Sequence, residues 1–361
     1  VNITERNYYL PFSVFPGIGP KRFSDLLAVC NSAQAIWEAS ESELKNAHLG
    51  EITIDRFITF RKTFSIESYL EKLEKAHVWF ITGSEKSYPL LLSVISNPPF
   101  VLYGKGEQGL LSEEKMVGVV GTRKVTSYGK QITEQFTREL VQAGCVIVSG
   151  LALGVDALAH QTTIDNNGET IAVLGCGVDM CYPSNNERIY QQILEKNGAI
   201  VSEYPLSMPP SIGSFPSRNR IIAGLSRVLL VTEGAEDSGA LITAEDSRLL
   251  GRTVFSIPGP ITSTLSSGTN KLLGNGAKLA LHPEAILGEL GMRKPESRRA
   301  EKIIGKTEEE QMVIDLLSGE SLSLDELVRK TKLSVSKVSL ILSTLELTGI
   351  VKDRAGTYTL E

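Results

Sequence analysis

Six short runs of continuous apolar residues punctuate the middle of the chain: Met116–Val120, Cys145–Val148, Ile171–Leu174, Ala199–Val201, Val228–Val231 and Val254–Ile257. Between the earlier runs lie polar-patterned stretches of helical length, at about 127–143, 155–167 and 185–197. Strands that are apolar throughout, rather than alternating, and that are separated by helices predict a parallel sheet covered on both faces. Ligands of such a sheet gather outside the carboxyl ends of its strands. Upstream, the turn at Ser87-Tyr88-Pro89 and the Asn97-Pro98-Pro99 stop precede a further apolar run, Phe100–Tyr103, which reads as an added strand.

The two ends of the chain follow a helical period instead. Near the start, the glycine-proline turn Phe15-Pro16-Gly17-Ile18-Gly19-Pro20 is followed by Lys21, Arg22 and the helically spaced Phe23, Leu26 and Leu27. This is the pattern of a helix-hairpin-helix, either a contact to a DNA phosphate or simply a packing unit. At the other end, three helices at about 307–317, 323–330 and 335–347 precede Ile350-Val351-Lys352 and Tyr358-Thr359-Leu360, which flank a turn as a hairpin. Three helices and a hairpin predict a winged helix. Its third helix holds only Lys337 as a base, so it is poorly equipped to read DNA, and a protein contact or regulatory role suits it as well. The patterning thus divides the chain into a helical segment 1–65, a transitional segment 66–114, an α/β core 115–290, a polar linker 291–302 and a last domain 303–361.

Composition narrows the class. With 42% hydrophobic and 22% charged residues over 361 positions, sizeable cores are expected. A formal net charge of -5 gives no overall basic excess, so any nucleic-acid contact must come from a local patch. Four dispersed cysteines exclude a disulfide scaffold and agree with reducing cytosol. No basic-apolar leader and no apolar stretch of bilayer length is visible, and the reading is a soluble cytoplasmic protein without membrane insertion.

The candidate chemistry sits where the runs end. Four glycine-rich loops follow them: Gly118-Val119-Val120-Gly121-Thr122-Arg123; Ser149-Gly150-Leu151-Ala152-Leu153-Gly154-Val155-Asp156; Gly175-Cys176-Gly177-Val178-Asp179; and Gly234 through Ser238-Gly239 to Ala244. Glycines directly after buried strands permit tight turns and leave amides at the next helix start, where an anion is stabilised. Either these loops form a phosphate-binding crevice or they are plain packing turns. They match neither the dinucleotide fingerprint nor the lysine-bearing Walker loop. Arg123 is the first candidate for a phosphate fork, and Arg218 and Arg220 in Phe215-Pro216-Ser217-Arg218-Asn219-Arg220 are the second. Phe215 beside two arginines fits a ring for a base and cations for the backbone. The alternative is a core phenylalanine beside a solvated or salt-bridged pair. His160 shares a helical face with Asp156 and reads as structural; Cys176 and Cys181 lack a second ligand pair, so no metal or cofactor is expected. Asp179 and Glu233 are either paired acids or loop-orienting carboxylates.

These motifs resemble the bacterial DprA/Smf family of DNA-processing proteins. The similarity rests on Val-Gly-Thr-Arg at 120–123 with Tyr128-Gly129, the 149–156 loop, the Gly175/Gly177/Asp179 loop, Tyr182-Pro183 with Asn185, Ser202-Glu203-Tyr204-Pro205 and the 215–226 segment. It continues through Glu233-Gly234, 238–244, Gly251-Arg252, Pro258-Gly259, Gly268-Thr269-Asn270 and Gly276-Ala277. Thr122 and Thr126 stand where the family favours serine, which keeps the hydroxyl. The resemblance implies a Rossmann-like core flanked by an N-terminal helical domain, of helix-hairpin-helix or SAM-like type, and a C-terminal winged helix. It implies a non-enzymatic protein that binds single-stranded DNA in natural transformation and DNA uptake, protects it and loads the RecA recombinase onto it, assisting displacement of single-strand-binding protein. Dimerisation through the Rossmann-like domain is implied too. At residue level the resemblance places Arg123 and the 149–154 loop, with Ser149, Gly150 and Gly154, at the DNA backbone and Arg218 and Arg220 nearby; Phe215 joins them as a base platform from composition, Asn219 and Lys271 complete the candidate DNA-binding set, and Gly121, Asp156, Gly175, Gly177, Asp179, Gly234 and Gly239 shape the loops. Two alternatives stand beside this one. A nucleotide phosphoribohydrolase-like enzyme would share the architecture, but its Pro-Gly-Gly-x-Gly-Thr loop is missing here. A protein-interaction adaptor without DNA binding would use the loops for packing alone.

Overall fold

The computed structural model describes residues 3–47, 49–292, 305, 307–318, 321–353 and 356–360. The chain forms two compact units, Val1–Arg293 and Lys294–Glu361. Of the expected linker 291–302, the part from 293 onward lies outside the described residues.

The first unit is built on strands β1 (Trp79–Thr82), β2 (Val101–Gly106), β3 (Met116–Val120), β4 (Val146–Ser149), β5 (Thr170–Val173), β6 (Ala199–Ser202), β7 (Val228–Val231), β8 (Thr253–Ser256) and β9 (Lys278–Leu279). They form one nine-stranded sheet in the order β1-β2-β6-β5-β4-β3-β7-β8-β9. The six expected runs supply β3 to β8, all mutually parallel. Segment 66–114 contributes more than one added strand: β1 and β2 pair antiparallel with each other, and β2 extends the sheet antiparallel along β6.

Burial on both faces explains the unbroken apolar runs. Met116, Val120, Val148, Ile171, Val173 and Val231 pack on one face with Ile221, Ile222 and Ala240. Val117, Val119 and Ile147 pack on the other with Phe136, Leu140 and Ala159. Three helices at the carboxyl side are additional to the sequence reading: Ser214–Leu225, Gly239–Leu249 and Ser267–Gly274. Phe215, Arg218 and Arg220 therefore stand on a helix. The direction in which strands are added reverses between β3, which leads through helix Ser127–Gln142 to β4 on one side, and its parallel neighbour β7, which leads through helix Gly239–Leu249 to β8 on the other. This is the switch point where an open α/β sheet offers its crevice.

The amino-terminal helices close around an aromatic core in which Phe12 stacks on Phe57 at 5.4 Å and Phe23 on Phe100 at 4.2 Å. Truncating one such buried ring costs about 3–5 kcal/mol. At the glycine-proline hairpin Gly17 has φ +131° and Pro20 opens helix Pro20–Cys30. The two bases beside it are engaged locally, Arg22 with the Gly17 carbonyl at 2.7 Å and Lys21 with Asp25 at 3.8 Å.

The second unit has helices Glu308–Leu317, Leu324–Thr331 and Val335–Leu347. With them go strands β10 (Leu322–Ser323), β11 (Val351–Asp353) and β12 (Thr357–Leu360). The expected hairpin gains β10 as a third strand, in the order β10-β12-β11. This is a winged helix, and with the sheet core and helical start it gives the expected fold class. Among the described residues no helix is long and apolar enough to cross a membrane.

Candidate nucleic-acid interface

At the switch point itself the backbone leaves no room for a ligand. The Thr122 amide donates to the Glu233 carbonyl at 2.7 Å, and the Glu233 carboxylate accepts from the Thr126 amide at 2.8 Å and hydroxyl at 2.6 Å. A Cβ at Gly121 would meet the Glu233 carbonyl at 2.7 Å and Val155 at 2.6 Å. Glu233 is thus a loop-orienting carboxylate, and the surface that remains open lies over the ends of β3, β4 and β5.

Arg218 forms the floor there. Its guanidinium is buried, with Nη1 donating to the Gly150 carbonyl at 2.5 Å and to the Val173 carbonyl, and Nε to the Asn219 side chain at 3.1 Å. Burial pushes its pKa down, and the nearby charge of Asp156 opposes that shift. Asp156, also buried, accepts from the Gly150 and Ala152 amides at 3.1 and 3.4 Å. Burial pushes its pKa up, against the pull of Arg218 and of those amides. The loop 150–154 is therefore held from below by a buried charge pair, and a Cβ at Gly150 would lie 2.6 Å from the guanidinium. Gly154, at φ +78°, would place a Cβ 2.3 Å from the Thr122 carbonyl. These two glycines fix how tightly the second loop seats on the first.

Above the floor, Tyr182 and Phe215 stack with centroids 5.4 Å apart and planes 29° apart. Tyr182 is 47% exposed, so one ring of the pair faces solvent. Phe215 projects from the first turn of its helix beside Gly175, where a Cβ would approach its ring to 3.0 Å. The exposed Arg123 places Cζ 5.7 Å from the Phe215 centroid. Among the described residues no carboxylate pairs with Arg123, nor with its exposed neighbour Lys124. Amide-rich amino ends of helices Ser127–Gln142, Val155–Asp165, Ser214–Leu225 and Gly239–Leu249 converge on the same edge, adding positive potential.

Several expected contacts fall elsewhere. Arg218 cannot offer a free fork, because its donors face loop carbonyls inside the protein. Arg220 is spent on Glu203 at 2.5 Å, in a half-buried pair. Ser149 is buried and donates to the Val119 carbonyl at 2.6 Å, so its hydroxyl does not face the surface. Lys271, although exposed, pairs with Glu236 at 2.6 Å. Asn219 bridges Arg218 and the Gly239 carbonyl. Asp179 clamps Ser207, accepting from its amide and hydroxyl at 2.9–3.0 Å. Around it a Cβ at Gly177 would clash with the Asp179 carboxylate at 2.5 Å. Gly234 has a looser surround, with Ser238 at 3.3 Å, and Gly239 opens a helix into free space. His160 donates from Nδ1 to the Thr170 hydroxyl at 2.7 Å, while its Nε2 is buried without a partner. Among the described residues no group of His, Cys, Asp and Glu could hold a metal ion.

Residues 79–291 match the family of the DNA recombination-mediator protein A, and residues 296–357 match the DprA winged helix domain. The chain belongs to the DprA/Smf family. It is 38% identical to protein Smf of Synechocystis over 80% of this chain and 73% of that protein, and 38% identical to DNA processing protein DprA of Bacillus subtilis over 71% and 89%. The structure of DprA from Streptococcus pneumoniae superposes with a TM-score of 0.69 at 32% identity, covering 80% of this chain and 99% of that one. DNA processing protein A of Helicobacter pylori, described for its single-stranded DNA binding mode, covers 60% of this chain and 97% of its own at a TM-score of 0.54 and 34% identity. The family description is that of a recombination mediator, and the two candidate paired acids, Asp179 and Glu233, are each committed to loop architecture. Tyr182 is the functional candidate that sequence reasoning left inside a motif. Its signal was an aromatic beside a proline, with nothing to show that it meets Phe215.

Proposed function

We propose that the carboxyl edge of this sheet binds single-stranded DNA without sequence preference. The observation that carries this reading is the juxtaposition of the Tyr182–Phe215 stack with Arg123, an exposed cation without a carboxylate partner among the described residues. Bases continue the stack on the exposed Tyr182 ring, since every base offers a π-face whatever its identity. Arg123 and Lys124 take phosphates, helped by the amides of loop 150–154. Arg218 and Asp156 act beneath the strand, keeping that loop in place, and Arg220 and Asn219 support the same helix. Duplex DNA hides its bases inside the stack and leaves the ring without a partner, so the single strand is preferred.

On this reading the protein works in the cytoplasm during DNA uptake. It acts as a homodimer through the Rossmann-like domain, passing the protected strand to the RecA recombinase and helping to displace single-strand-binding protein. The family relationship supports this sequence of events, and an exposed edge that holds DNA by backbone and base faces leaves the strand open to a second protein.

Fluorescence anisotropy with a labelled oligonucleotide, titrated at several salt concentrations, tests the DNA step. Arg123→Ala is expected to weaken binding several-fold and to reduce the salt slope by about 0.7, one phosphate contact on a single strand. Tyr182→Ala is expected to cost about 1–3 kcal/mol of affinity, with Tyr182→Phe close to wild type. Unchanged affinity in both alanine variants would overturn the assignment.

A further inference from the structure

At the opposite edge of the sheet two arginines stand immediately before neighbouring parallel strands, Arg227 before β7 and Arg252 before β8. The register pairs Val228 with Thr253, so residues 227 and 252 lie side by side, one interstrand spacing of about 4.8 Å apart. The two-residue period of a strand puts both on the face of Leu229 and Val254, which pack in one cluster.

Neither arginine has a carboxylate partner among the described residues. Arg227 is exposed, and its side chain makes no hydrogen bond or ion pair among the described residues. Arg252 donates from Nη2 to the Leu91 carbonyl at 3.2 Å, while its Nε is buried and unpaired. Burial and then the charge of Arg227 hold the Arg252 pKa below its ordinary value. Two like charges side by side, one of them with a buried donor unsatisfied, are unfavourable unless a counter-charge joins them. Arg252 also lines a cavity of about 470 Å³ together with Arg248, Asn275, Gly276 and Lys278. Arg248 and Lys278 are already matched, with Glu245 and Glu289 at 2.6 Å each, so the unmatched charge belongs to Arg227 and Arg252.

We propose that Arg227 and Arg252 form a second anion site, at the amino edge of the sheet, that takes a phosphate group. Guanidinium forks on adjacent strands can share the oxygens of one phosphate, and the free Nε of Arg252 supplies a donor that no protein group uses. The phosphate comes either from a small phosphorylated molecule or from the backbone of a nucleic-acid strand. The second source rests on the single-strand reading above and makes this edge a continuation of the DNA path.

Two measurements on the full chain decide the matter. The first is thermal unfolding with inorganic pyrophosphate against chloride at equal ionic strength, for wild type, Arg227→Gln, Arg252→Gln and Arg252→Lys. Pyrophosphate is expected to raise the wild-type Tm by a few degrees and to lose most of that effect in both glutamine variants. Equal stabilisation of wild type and Arg227→Gln overturns the site. Arg227 is exposed, so its variant remains informative even if Arg252→Gln fails to fold. The second is anisotropy with oligonucleotides of about 8 and about 40 nucleotides. If the source is nucleic acid, Arg227→Gln weakens the long strand about threefold, with a salt slope lower by about 0.7, and leaves the short one unchanged. Lost pyrophosphate stabilisation with both oligonucleotides unaffected identifies a small phosphorylated ligand. Failure of wild type to bind any oligonucleotide overturns the single-strand reading, while the pyrophosphate arm still decides this site.

Discussion

His160 shows how a buried residue near the crevice shapes the response to acid without touching a ligand. Burial, reinforced by the charge of Arg218, pushes its pKa down to about 3 from an ordinary 6.5. The unfolded chain therefore takes up a proton below pH 6.5 that the native chain refuses until near pH 3, so this residue costs stability progressively as pH falls through that window. Asp156 and Glu203, whose pKa values burial raises, act in the other sense: they are protonated earlier in the native state and stabilise it on the way down. A comparison with His160→Leu separates the two effects. The Thr170 hydroxyl still donates to the Ile147 carbonyl in that variant, so no new unsatisfied donor is created. Between pH 6.5 and 5.5 wild type is expected to lose about 1 kcal/mol more than the variant, read as a difference in urea midpoints, against about 1.4 kcal/mol per unit deep in the window. Parallel pH profiles would show that His160 takes up a proton in the fold as readily as out of it. A second residue-scale prediction concerns Gly150. A methyl there meets the Arg218 guanidinium at 2.6 Å, and Arg218 is pinned by two carbonyls and cannot retreat. Gly150→Ala is expected to destabilise by about 1–3 kcal/mol, as overpacking does, and to weaken DNA binding by lifting the loop. The sequence made the glycine visible but not its reason, because Arg218 lies far along the chain and reads in isolation as a phosphate ligand.

At the scale of elements, β3 to β8 were legible because burial on both faces leaves an unbroken apolar run. Helices Ser214–Leu225 and Gly239–Leu249 were not, for a related reason. Both begin within glycine- and serine-rich segments at the strand ends, and their starts read as loop; Ile221 and Ile222, buried against the sheet, sit directly after the Phe215–Arg220 motif that drew the chemical reading. Polar residues on the motif suggested a surface cluster, whereas the helix turns Arg218 inward and leaves Phe215 at the mouth. The edge strand β1 was hidden because Trp79–Thr82 pairs only with β2, and nothing in its own sequence shows that partner. Their junction is a close fit: the Trp79 ring lies where a Cβ on Gly104 would be, at 2.1 Å, and its Nε1 donates to the Gly106 carbonyl at 2.9 Å. Gly104→Val must expel that ring. The expected result is a lower Tm and a red shift of the Trp79 emission, measured in a Trp37→Phe background so that one tryptophan reports. An unshifted spectrum would mean that the ring does not cover the strand.

For the whole molecule, the division into two units has a functional consequence that charge decides. The winged helix has a core of its own, with Val313, Leu317, Leu327, Val338, Leu342 and Leu345 buried together. Yet the helix that a DNA-reading winged domain would lay in the major groove, Val335–Leu347, bears one base, Lys337, and that base pairs with Glu309. The same helix exposes Leu340 and Leu347, and the domain's first helix opens with Glu308, Glu309 and Glu310. Such a surface repels phosphate. A chain ending at Met292 is therefore expected to bind single-stranded oligonucleotides within about twofold of the full chain, with the same salt slope, since the slope counts only the phosphates that cations neutralise. A separate 303–361 fragment is expected to fold, giving a helical spectrum with a cooperative melt, and to show no DNA affinity at low salt. A large loss of affinity or a reduced slope on truncation would instead place phosphate contacts in the second unit, and the carboxyl edge of the sheet would no longer account for binding by itself.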